Sequence, residues 1–119
     1  MKQPPDIRFI GMEPSEALDT AAREKIAKLE QLSPQIMACH IVIELPHRHR
    51  NQGRQFAVRV DLTLPGRELA VSRVEHEDVY VALRDAFDGM RRQLEDTMGR
   101  MQEFDRQSAA GGGGQGGTT

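Results

Sequence analysis

The chain has no tryptophan, one tyrosine and four phenylalanines among its 119 residues. Stacked aromatics therefore cannot dominate its core, and aliphatic side chains must supply most of the buried surface. The single cysteine, Cys39, excludes an internal disulfide, and a reducing compartment is expected. No apolar run approaches the roughly 20 residues a membrane-spanning helix needs. Residues 1–6 hold Pro4 and Pro5 and no apolar stretch, so no secretory signal is expected and a soluble cytoplasmic protein is the default. A formal charge of −2 does not announce a polyanion partner. The length suits one domain with a modest core.

What is present is one long amphipathic run, His76 to Met101. Val79, Tyr80, Leu83, Phe87, Met90, Leu94, Met98 and Met101 recur at steps of three and four, the stripe of an α-helix. Arg84, Asp85, Asp88, Arg91, Arg92, Glu95 and Asp96 fall on the other side. Glu77 and Asp78 are expected in the first turn, where acids complement the positive helix end. Such a stripe requires a sheet or another helix to cover it.

The preceding residues read as that cover. Ile7 to Met12 suggests a short strand. Ser15 is the expected N-cap of a helix from Glu16 to Leu32, with Leu18, Ala22, Ile26 and Leu29 on one face and Ser33-Pro34 as its stop. Ile36 to Leu45 is rich in β-branched residues and reads as a strand. In Gln55 to Leu64, Phe56, Val58, Val60, Leu62 and Leu64 alternate with Ala57, Arg59, Asp61 and Thr63, a half-buried strand. Pro65-Gly66 turns the chain into Glu68 to Arg73, with Leu69 and Val71 inward. The order is β-α-β-β-β-α, which predicts an α+β two-layer sandwich: a four-stranded sheet with both helices on one face and a polar face left open. Residues 1–105 form the single domain, and residues 106–119 a Gly-rich tail expected to be disordered. The last helix should overhang the sheet beyond about Met98.

Charge is uneven. Between Leu45 and Val60 stand Arg48, Arg50, Arg54 and Arg59 and no acid, so the other residues carry −6. Arginine forks suit phosphate oxygens, and His47 and His49 flank them. The structural alternative is a solvated hairpin loop whose charges keep strand edges from pairing. Arg23, Lys25 and Lys28 make a smaller basic group on the first helix, with Glu24–Lys28 pairing as its ordinary explanation. On the last helix Arg84–Asp88, Asp88–Arg92 and Arg91–Glu95 are all spaced to pair, so that face should be self-neutralised.

Chemistry-bearing motifs fail one by one. Cys39 and His40 are adjacent on a strand and point to opposite faces. His47-x-His49 lacks a second ligand pair, so no metal is expected. Cys39 on a buried strand should be inert. No Gly-rich phosphate loop links strand to helix, and Asp85 and Asp88 suit arginine partners better than acid–base work. Met90, Met98 and Met101 follow the apolar stripe as packing. No catalytic set and no cofactor are expected.

Three stretches resemble the ribosome hibernation promoting factor and ribosome-associated inhibitor family. These are Arg23 to Leu32 (REKIAKLEQL), Phe56 to Arg73 (FAVRVDLTLPGRELAVSR) and Glu77 to Leu94 (EDVYVALRDAFDGMRRQL). Asp78, Tyr80, Asp88, Arg92, Gln93 and Leu94 stand where the family's final helix carries such residues. The likeness covers about Ile7 to Met101. It implies a non-enzymatic protein of the stress response that binds the small ribosomal subunit in the mRNA and tRNA channel and blocks translation. The family's basic positions fall here on Lys25, Lys28, Arg92 and Arg100. Arg48, Arg50, Arg54 and Arg59 join that RNA-binding set from the charge map alone. The family's lysine-rich end of the last helix is replaced by Gly89, Glu95, Asp96 and Met98, which predicts weaker phosphate contact there. The resemblance is to the family's short form, without a second dimerisation domain. The competing expectation is a protein–protein module that has kept the fold and lost RNA affinity. It would use the open sheet face or the overhanging helix, with weak homo-oligomerisation among its outcomes.

Overall fold

The computed structural model describes residues 1–46 and 55–111, residues 101–111 in backbone only. The elements are β1 (Asp6–Ile10), α1 (Glu16–Leu32), β2 (Ala38–Glu44), β3 (Phe56–Leu64), β4 (Arg67–His76) and α2 (Val79–Gly111). The sheet order is β1-β2-β3-β4. β1 runs parallel to β2, and the other two pairs are antiparallel. A parallel pair needs a crossover, and α1 is that crossover. The expected α+β architecture is the one observed.

α1 has the predicted limits. The Ser15 hydroxyl accepts the Leu18 N–H at 3.2 Å, and the Ser33 N–H donates to Leu29 O at 2.9 Å. Leu18, Ala22, Ile26 and Leu29 are all buried. They meet the inner sheet face, where Cys39, Ile41 and Ile43 of β2 stand opposite Leu62, Val60 and Val58 of β3. Ile7 and Phe9 extend that face onto β1, and Leu69, Val71 and Val74 extend it onto β4. The β3–β4 register slips between Val58 and Val60: Ser72 and Arg73 together oppose Arg59, a bulge that breaks the simple alternation.

α2 begins later than expected. His76 is still in β4, paired with Phe56, and Asp78 is the helix cap rather than a first-turn residue. The Asp78 carboxylate accepts the Tyr80 N–H at 2.9 Å, and the Asp78 N–H donates to His76 Nδ1 at 2.9 Å. A capping acid removes one orphan donor from the helix start. Leu83, Phe87, Met90 and Leu94 are buried as predicted, joined by Ala82, Ala86 and Thr97. The small residues widen the buried arc towards 82 and 86. That leaves Tyr80 at its edge, 49% exposed instead of in the core. The side chain of Met101 lies outside the described residues.

The helix outruns its support. Its 33 residues reach about 50 Å, against about 33 Å for the 10 residues of β4. Met98 still touches the core, while Gly99 and Arg100 are exposed. α2 continues past residue 106, where the tail was expected to begin; residues 112–119 lie outside the described part. Among the described residues no helix is long and apolar enough to cross a membrane.

Candidate nucleic-acid interface

The fold presents two surfaces of opposite character. The first is the outer sheet face. Asp6, Arg8, His40, Glu44, Arg59, Asp61, Arg73 and Glu75 point there, because they alternate with the buried residues of their strands. They pair with one another. Arg59 Nε and Nη2 donate to the two Asp61 oxygens at 2.8 and 2.9 Å. That fork and the Asp61 charge raise the Arg59 pKa further above its ordinary value. Arg73 Nε donates to Glu75 at 2.5 Å, and its Nη1 lies 3.6 Å from Glu44. His40 Nδ1 lies 3.1 Å from Asp6, and Arg8 Nε donates to the same carboxylate oxygen at 3.0 Å. His40 first, then Arg8, holds the Asp6 pKa below its ordinary range. This face is balanced by its own acids.

The second surface is the groove between the helices. Ala21, Glu24, Lys25 and Lys28 of α1 face Tyr80, Val81 and Arg84 of α2 across a groove of about 370 Å³. Lys25 and Lys28 are three residues apart and so share a helix face. Neither makes an ion pair among the described residues. The expected Glu24–Lys28 bridge is absent; α1 instead pairs Arg23 with Asp19 at 2.7 Å. The Arg84–Asp88, Asp88–Arg92 and Arg91–Glu95 pairs expected on α2 do not form among the described residues either. Arg84 turns to its neighbour Asp85 at 3.2 Å, and neither Arg91 nor Arg92 pairs among the described residues. On exposed helix faces such pairs contribute only a few tenths of a kcal/mol, so spacing alone does not decide which of them form. Arg91 follows Arg84 by two turns and continues the groove side of α2.

The eight RNA-binding residues expected from sequence are thus dispersed. Lys25 and Lys28 line the groove. Arg92 stands on the exposed side of α2, and Arg100 on the overhang, paired with Asp96. Arg59 lies on the opposite sheet face, committed to Asp61. Arg48, Arg50 and Arg54 lie outside the described residues, as do His47 and His49. Sequence reasoning missed Arg84 and Tyr80 as groove residues. The available signal was that Tyr80 and Arg84 stand four apart, on one face of the same helix.

Two further family-like residues are structural. Leu94 is fully buried, and the Gln93 amide donates to the Ala70 carbonyl of β4 at 2.9 Å, covering part of that edge strand. Cys39 is 1% exposed; burial, then the charges of Asp61 and Glu30, pushes its thiol pKa to about 12. Among the described residues no group of three or more His, Cys, Asp or Glu could hold a metal.

The fold and this helix face together define a class, the β-α-β-β-β-α two-layer sandwiches with a cation-lined groove between their helices. Residues 6–102 match the sequence profile described as sigma 54 modulation protein / S30EA ribosomal protein, and the chain belongs to that family, which is not one of enzymes. A ribosomal subunit interface protein from Coxiella burnetii shares the fold with TM-score 0.68 and 19% identity, over 80% of this chain and 97% of that one. The Protein Y N-terminal domain from Thermus thermophilus does so with TM-score 0.58 and 23% identity, over 77% of this chain and 98% of that one. No curated protein matches the sequence significantly.

Proposed function

We propose that this protein is a cytoplasmic, ribosome-associated modulation and hibernation factor that binds the small subunit through ribosomal RNA backbone. Steric occlusion of the mRNA and tRNA channel is the mechanism: a folded wedge needs no catalytic group and no cofactor. The observation that carries this reading is the asymmetry of the two faces. The sheet face spends its cations on its own acids, whereas Lys25, Lys28, Arg91 and Arg92 on the helix face have no acidic partner among the described residues. Cations without partners are the ones able to displace counterions from phosphates. Lys25, Lys28 and Arg92 make the primary contacts, with Arg84 and Arg91 beside them. Arg100 adds to them on exchanging Asp96 for a phosphate. Arg48, Arg50 and Arg54 supply further contacts from the β2–β3 connection, and Arg59 joins only by leaving Asp61.

Co-sedimentation of the purified protein with separated ribosomal subunits, repeated at rising salt, tests this. Co-migration with the small subunit that is lost as salt rises is expected. Failure to bind at low salt would overturn it and turn attention to protein partners of the open sheet face.

A further inference from the structure

The groove between α1 and α2 holds the chain's only tyrosine. Tyr80 is half exposed beside Lys25, Lys28 and Arg84, although it stands at the border of an otherwise buried stripe. Asp78 fixes its backbone by accepting its N–H, so the ring is presented from the first turn of a capped helix. An aromatic ring bordered by cations offers two things at once: a face on which a nucleobase stacks, and charges for the flanking phosphates. A duplex cannot use the first, because its bases are already stacked. Glu24 is the one acid lining the groove, and Asp85 holds Arg84 from beside it. Three cations against these two acids leave the surroundings net positive.

We propose that this groove is a site for one unpaired RNA base, stacked on the Tyr80 ring, with adjacent phosphates on Lys25, Lys28 and Arg84. The proposal rests on the ribosome-associated reading and names the form of RNA that this surface selects: single-stranded rather than helical.

With no tryptophan present, fluorescence excited beyond the phenylalanine absorption band reports Tyr80 alone. The full chain is titrated at low salt with a ten-nucleotide single-stranded oligoadenylate, and in parallel with an RNA duplex of equal length. Quenching by the single strand and little by the duplex is expected. By anisotropy of labelled oligoadenylate, Tyr80→Phe should bind within about two-fold of the parent, and Tyr80→Ala about ten-fold or more weakly. Thermal melts establish that both variants remain folded. Absence of quenching, equal quenching by the duplex, or unchanged affinity in folded Tyr80→Ala overturns the base site. The two readings fail separately. Parent protein that co-sediments with the small subunit but shows no Tyr80 quenching sinks the base site alone. Quenching by oligoadenylate without co-sedimentation sinks the ribosomal reading alone.

Discussion

Gly11 and Gly99 show how differently two glycines can matter. Gly11 follows β1 with φ +73, and a Cβ there would overlap the backbone carbonyl of Leu45. Leu45 is held in place by donating its own N–H to Ile10 O at 2.9 Å. Gly11→Ala is therefore expected to cost about 2 kcal/mol or more, strain and collision together. Gly99 sits in the overhang, and a Cβ there meets nothing within 4 Å. Gly99→Ala should stabilise the helix end by up to about 1 kcal/mol. Urea unfolding of both variants checks the opposite signs. Cys39 makes a second test. Its native thiol stays protonated to about pH 12 against an ordinary value of 9.0. Between these values the unfolded chain releases a proton that the folded chain keeps, so stability falls as pH rises through that window. Iodoacetamide at pH 8 should leave native Cys39 unmodified and label it on unfolding. Cys39 was legible as an inert strand residue from its β-branched neighbours. The Gly11 approach was not, because Leu45 lies 34 positions away in the chain and no local pattern records the contact.

At the scale of elements, periodicity carried most of the information. α1 has the predicted limits and buried face because its cap, its stripe and its Ser33-Pro34 stop all agree. α2 was read three residues too early. His76-Glu77-Asp78 looks like an acidic first turn, yet the pairing of His76 with Phe56 keeps that residue in β4, and Asp78 becomes the cap. Strand pairing across the sheet overrode a local helix signal. Asp78→Ala should then cost about 1 kcal/mol, and Asp78→Asn or Asp78→Ser much less, measured by thermal or urea unfolding. A first-turn acid acting only through its charge would instead lose as much in Asp78→Asn. The exposure of Tyr80 has a similar origin. A hydrophobic count weights a tyrosine above an alanine, but the packed arc runs through Ala82 and Ala86, whose small size lets the helix lie close on β3 and β4.

At the scale of the whole molecule, charge was the least legible property. Spacing at i,i+4 shows which residues could pair, not which do. The structure leaves Lys25, Lys28, Arg91 and Arg92 without acidic partners among the described residues, while Arg59, Arg73 and Arg8 spend theirs on neighbours across or along strands. The two faces of the sandwich thus differ in which of their cations are paired, not in the sum of their charges. Binding to small subunits should respond accordingly. Lys25→Gln, Lys28→Gln and Arg84→Gln combined should lower the slope of log affinity against log salt by about two to three units, since each lost phosphate contact removes a little under one. Arg59→Gln should leave that slope unchanged, because its fork already satisfies Asp61 on the far side of the sheet. The two variants are compared by sedimentation at four or five salt concentrations. A loss of a little under one unit in Arg59→Gln would mean that the sheet face also meets RNA, with Arg59 exchanging Asp61 for a phosphate on docking. A loss confined to the triple variant would place the RNA on the helix face.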